Sequence, residues 1–339
     1  SACSAGISES EPLTATQVIQ LRAEIGAVLF LCLTRWDLLY DLCILQTRVK
    51  DAAVKDLKEC TRIIYAAKRH SFRGLIFDPL TTVSHHSQRR LAAVADSSHA
   101  SAKSSYAFEG NLVFLQEECH AQPQRTSQYA KTVAASSIPG LSGGVHPLYV
   151  RSQKAKRLSQ STSHAETLSQ LSCTALAECI AMRYTEMYLA WTKQGTDTRK
   201  SALSYGTPTL ETLMDYDLDG RYEVPVDSWT DCLDLMELTT GLKGVPQDRH
   251  QRLAILALRE KRVAGRIRLS YWMQTDWMIA NALTKHDPNC PTMWELLTAG
   301  RWQTEGQVRV RKSITVEDYD ESDLRKMRPD EGHINTNEE

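Results

Sequence analysis

Apolar residues first recur at helical spacing through Val18, Leu21 and Ile25, then Val28, Leu29 and Leu33, which predicts an opening helix. Thr34 with Asp37 three residues on predicts a capping box that opens a second helix through Leu38, Leu39 and Leu42. Over 50–69 a third apolar stripe, Ala53, Leu57, Cys60, Ile64 and Ala67, faces away from Lys55, Lys58 and Arg62. Such a charged face is more often solvated than a nucleic-acid contact.

After Pro79 the pattern changes to short apolar runs alternating with helices. Leu91 to Ala95 reads as a strand delivering Asp96, and Asn111 to Leu115 as a second. Leu148 to Leu158 reads as a third strand, ahead of a long helix from Thr162 to Trp191. Tyr222 to Val226 reads as a strand delivering Asp227, and Asp231 to Thr240 as a helix. His250 to Ala264 is a predicted helix stopped at Gly265, followed by a strand, Ile267 to Trp272, and a last helix, Asp276 to Leu283. The alternation predicts an α/β fold with a mixed sheet behind a helical module. The expected boundaries are a disordered 1–14, a helical module over 15–75, a linker over 76–90 and the α/β domain over 91–290. Within that domain 120–145 reads as a loop or insertion and 193–208 as a polar linker. An extension over 291–312 and an acidic, disordered tail over 313–339 follow.

Composition adds limits. With 339 residues and 42% hydrophobic content, the chain has ample material for a packed core. A net charge of −1 argues neither for nor against nucleic acid, but Lys and Arg concentrate in 48–73, 151–157, 259–268 and 301–312. Nine cysteines without zinc-type spacing fit reduced thiols in an intracellular setting. No signal-peptide pattern is read, and no membrane partner is expected: the longest apolar run, Ile25 to Leu33, is far short of the roughly 20 residues a span needs. Ser1 in place of Met fits a fragment or a processed product.

The candidate chemistry is acidic. Glu166 opens the long apolar helix, and Asp96 and Asp227 sit at the ends of candidate strands. The helix dipole favours a first-turn acid by only about 1 kcal/mol or less. Three acids gathered at strand ends would repel unless a divalent cation neutralised them. Each also has a plain alternative: Asp96 as a turn cap before Ser97-Ser98, Asp227 as a helix N-cap, Glu166 as a surface acid. Lys154, Lys156 and Arg157 are candidate phosphate contacts, or a charged guard on an edge strand. His99 and His164 adjoin proposed ligands, as proton carriers or as hydrogen-bonded structural residues.

Several segments, in order, resemble the C-terminal part of a copia-type retrotransposon Pol polyprotein, the connection region followed by ribonuclease H. They are Leu21 to Gly26, Leu33 to Asp37, Leu57 to Ala67, Ala95 to Ala100, Lys154 to Glu166 and Val226-Asp227. The most specific stretch is His250 to Lys285, with Leu258-Arg259-Glu260, Gly265 to Leu269 and Ala280-Asn281-Ala282-Leu283-Thr284-Lys285 at the family's spacing. The resemblance covers roughly 16–300 and implies an RNase H-like fold. It further implies two magnesium ions, with manganese as a substitute, and cleavage of the RNA strand of an RNA–DNA hybrid. By the same resemblance Asp96, Glu166 and Asp227 are metal-binding catalytic residues, and the fourth carboxylate falls at Asn281. A neutral Asn is a weaker magnesium ligand, so activity is in question. No paired-aspartate polymerase motif is present, so the implied partner is a reverse transcriptase polymerase domain in the parent polyprotein. The rival expectation is a catalytically inactive remnant that binds hybrid or acts as a scaffold. An integrase of the same fold would space its acids differently.

Overall fold

The computed structural model describes residues 8–77, 89–99, 106–117, 132–194, 222–287 and 290–312. The linker over 78–88, most of the 120–145 insertion, the 195–221 segment and the acidic tail lie outside the described residues.

Three helices come first: α1 (Ala15–Leu31), α2 (Leu39–Arg48) and α3 (Val54–Arg69). Thr14 caps α1 with Gln17, completing a reciprocal capping box. The box expected from Thr34 and Asp37 does not form. Thr34 bonds back to the Leu31 carbonyl, and Asp37 instead takes two hydrogen bonds from Arg35, at 2.9 and 2.8 Å, so α2 begins after a 3-10 turn over Trp36–Leu38.

The sheet has eight strands among the described residues: β1 (Arg89–Ser98), β2 (Phe108–Glu117), β3 (Val133–Ala134), β4 (Gly143–Lys154), β5 (Val226–Thr230), β6 (Leu269–Met273), β7 (Arg301–Trp302) and β8 (Gln307–Lys312). Their order is β3-β8-β6-β5-β1-β2-β4-β7. β1, β2 and β4 are antiparallel neighbours, while β5 runs parallel to β1 and β6 parallel to β5. The chain is therefore a mixed α/β protein, as its alternating pattern predicts. Four further helices complete it: α4 (Thr162–Gln194), α5 (Leu233–Thr239), α6 (Arg249–Val263) and α7 (Pro291–Ala299). Gly265, at φ 73°, ends α6 as expected of a residue without a Cβ. Residues 291–312, read in the sequence as an extension, supply α7 and two strands of the sheet.

Alternation along β1 assigns its two faces. Leu91, Ala93 and Ala95 pack with Cys173, Ala177 and Ala181 of α4. Ala92 and Val94 join a second cluster with Phe114, Trp229, Tyr271, Leu283 and Trp302 that continues into Leu21, Ile25, Leu42, Leu45 and Ile63 of the helical front. The front helices thus share one apolar core with the sheet. Among the described residues no helix is long and apolar enough to cross a membrane.

The segment predicted as a last helix, Asp276 to Leu283, is two 3-10 turns, Thr275–Trp277 and Ile279–Leu283. The second presses directly onto β2 at Gly110, the register partner of Asp96. A Cβ at Gly110 would stand 2.8 Å from Leu283 Cβ, 2.8 Å from Thr284 Cγ2 and 2.9 Å from the Ala280 carbonyl oxygen. Gly110→Ala is therefore expected to cost about 1–3 kcal/mol by overpacking, read as a lower thermal midpoint. An unchanged midpoint would mean that the turn yields freely.

Candidate metal centre

Because β5 is parallel to β1, both strands finish at the same edge of the sheet. Asp96 lies near the end of β1, and Asp231 is the first residue beyond β5. Glu166 reaches the same place from α4. It is the fifth residue of that helix, one turn further in than a dipole-favoured first-turn acid, and it is buried. Glu166 Oε1 accepts a hydrogen bond from the Ser97 backbone N–H at 3.2 Å. Carboxylate oxygens of Asp96, Glu166 and Asp231 all lie within 4.8 Å of one another.

Such closeness is electrostatically unfavourable. Burial, and after it the charges of Asp96 and Asp231, pushes the Glu166 carboxyl well above its ordinary range. Burial and Asp96 likewise push Asp231 up to about 6. A hydrogen bond from the Thr275 side chain and the Lys285 ammonium pull Asp231 the other way without restoring it. An all-oxygen set of three crowded carboxylates fits a hard divalent cation, whose charge cancels the repulsion. Since the ion competes with protons for these ligands, Mn2+ affinity is expected to weaken as pH falls through about 6, the value to which Asp231 is raised. Titrating Mn2+ binding from about pH 5 to about pH 8 checks this. A flat profile would contradict it.

The backbone around the acids is pinned. Trp272 Nε1 donates to the Asp231 carbonyl at 2.7 Å, and Ser169 Oγ to the Asp96 carbonyl at 2.9 Å. The Thr284 hydroxyl donates to Asp96 Oδ2.

The structure thus unites two of the expected acids and corrects the third. Asp227 stands at the beginning of β5, not the end of a strand, and is fully buried in an ion-pair network. Its carboxylate accepts from Arg90 at 3.1 Å and from Arg268 at 3.0 and 2.8 Å. The strand is displaced four residues from its expected position. At about 3.3 Å per residue this carries the acid some 13 Å along the sheet while preserving the face. Sequence reasoning gave Asp231 to the following helix. The overlooked signal is Trp229-Thr230, a bulky apolar and a β-branched residue that extend the strand to Asp231.

Asn281 lies in the 3-10 turn, where its Nδ2 donates to the Thr275 carbonyl at 2.6 Å and its Oδ1 accepts from Lys285 Nζ at 2.9 Å. Lys154 ends β4 with its ammonium 4.1 Å from the Tyr106 ring centroid. Lys156 and Arg157 are exposed beyond it. His99 Nδ1 shares a hydrogen bond with Ser159 Oγ at 3.1 Å, and burial lowers the pKa of His164. Neither histidine belongs to the carboxylate group. Compared with known proteins, the chain matches no family model, no curated protein and no solved structure.

Proposed function

We propose that this chain is a ribonuclease H-type endonuclease module that cuts the RNA strand of an RNA–DNA hybrid, working beside a reverse transcriptase polymerase domain of a copia-like polyprotein. The observation that carries the reading is the convergence of Asp96, Glu166 and Asp231. Supporting it is the sheet: three antiparallel strands (β4, β2, β1) continued by two parallel ones (β5, β6), with acids at the ends of the two central strands. A mixed sheet flanked by helices and carrying an acidic cluster is what the resemblance implies for an RNase H-like fold.

Asp96, Glu166 and Asp231 would hold magnesium, in the two-ion form that the resemblance implies. The metal supplies Lewis-acid stabilisation of charge developing on the phosphate and a more acidic water. The chain's own part is to fix the carboxylates through Ser97, Thr275 and Thr284 and to shield them from bulk water by burial. Lys154, Lys156 and Arg157 offer cationic contacts for hybrid phosphates, which carry no sequence information.

One observation favours the rival reading of an inactive hybrid-binding remnant. The fourth position is a neutral Asn281, where the resemblance implies a carboxylate, and its Oδ1 accepts from Lys285. The two readings separate in a cleavage assay on a labelled RNA–DNA hybrid across a magnesium titration, with Asp96→Asn as control. Magnesium-dependent cutting of the RNA strand, lost in the control, is the expected result. Salt-sensitive hybrid binding by both proteins without cutting would leave the remnant.

A further inference from the structure

We infer that Thr284 is the positioning residue of this acidic centre, orienting Asp96 to receive the cation; the inference rests on the metal-site part of the functional reading, not on hybrid cleavage. Thr284 is fully buried, and its hydroxyl meets Asp96 Oδ2 from the face of β1 opposite α4. The hydroxyl donates and the carboxylate oxygen accepts. It holds Oδ2 of a carboxylate that also lies against Glu166 and Asp231.

Several independent contacts hold the hydroxyl in place. The Thr284 and Lys285 backbone N–H groups both donate to the Asn281 carbonyl, at 3.1 and 3.0 Å, closing the turn. Ser152 of β4 donates to the Leu283 carbonyl at 2.7 Å, a buried bond that ties the turn to the sheet. The bare backbone of Gly110 lets the turn approach, since Thr284 Cγ2 occupies the space of a Cβ there. Two residues on, His286 Nδ1 lies 2.8 Å from Asp41 Oδ1 of α2, so the front helices brace the same turn. Asn281 also contributes to this turn through its bonds to Thr275 and Lys285. The bracing runs from the helical front through the turn to the Asp96 carboxylate.

The test compares Thr284→Val, which keeps the shape and removes the hydroxyl, with Thr284→Ser, which keeps the hydroxyl. Mn2+ binding to the full chain is followed by electron paramagnetic resonance, well below the unfolding temperature of each protein. Groups that orient a metal ligand typically change affinity by about 10- to 100-fold, so the Val variant is expected to bind Mn2+ at least about tenfold more weakly and the Ser variant within roughly twofold of the parent. Val binding as tightly as the parent, or Ser binding as weakly as Val, would overturn the inference. No Mn2+ binding by the parent chain would overturn it together with the metal site. If Val alone binds weakly while none of the three proteins cuts hybrid, the positioning role stands and the nuclease reading falls.

Discussion

Asp231→Asn is expected to abolish divalent-cation binding and, with chelator present near neutral pH, to make the chain more stable than the parent. The two effects share one cause. Asp231 is pushed up to about 6 by burial and by Asp96, so its charge is unfavourable in the folded state unless a cation offsets it. The unfolded value is about 3.9. Below that pH the carboxyl is protonated in both states and nothing is lost. Between about 4 and 6 the folded state holds the proton more tightly, so stability falls as pH rises through this window. Above it the whole penalty is present, at most about 3 kcal/mol. An Asn carries no such penalty. Urea unfolding of both proteins in chelator, near neutral pH and again at pH values where Asp231 is protonated in both states, should show the variant ahead only in the first condition. A variant less stable than the parent near neutral pH would mean that the acids are not in conflict. Unaltered Mn2+ affinity would remove Asp231 from the centre.

Asp227→Ala should behave in the opposite way, costing about 3–5 kcal/mol because removing one member of a buried ion pair strands the other. Arg90 is fully buried beneath the sheet, with its guanidinium shared among Asp227, Tyr271 at 3.1 Å and Gln116 at 3.1 Å. Arg268 is only partly exposed and loses two bonds to the same carboxylate. The expected readout is a large drop in urea midpoint. Replacing Arg90 by Leu in the same chain should recover part of the loss, as the fully buried charge stranded by the substitution is then removed. Mn2+ affinity, measured where the variant is folded, should stay that of the parent. A small stability cost with loss of Mn2+ binding would restore Asp227 as a ligand.

The contrast between these two aspartates marks where the sequence ceased to be legible. The α/β alternation and the long helix were readable, because apolar runs and their periods are set by which faces are buried, whereas the grouping of Asp96 with Glu166 came from the resemblance. Placing β5 depended on a run whose residues are buried on both faces, so alternation gave no register for its ends. A slip of four residues keeps the face and exchanges one aspartate for another. The turn at 279–284 was missed for a different reason. Ile279, Ala280, Ala282 and Leu283 satisfy a helical pattern, yet tertiary contact with Gly110 and Ser152 holds them as 3-10. Local pattern also promised a cap at Thr34 and Asp37, where Arg35 takes the carboxylate instead. No pattern signals the hydroxyl of Thr284 on Asp96, because the two residues meet only through the folded sheet.

The central claim, that Asp96, Glu166 and Asp231 together hold a divalent cation, is tested most directly by crystals of the chain soaked in manganese. The account predicts an anomalous-difference peak bounded by the carboxylates of these three residues, and none at Asp227. Full diffraction from soaked crystals with no peak among the three acids, or with manganese seated elsewhere, would contradict it.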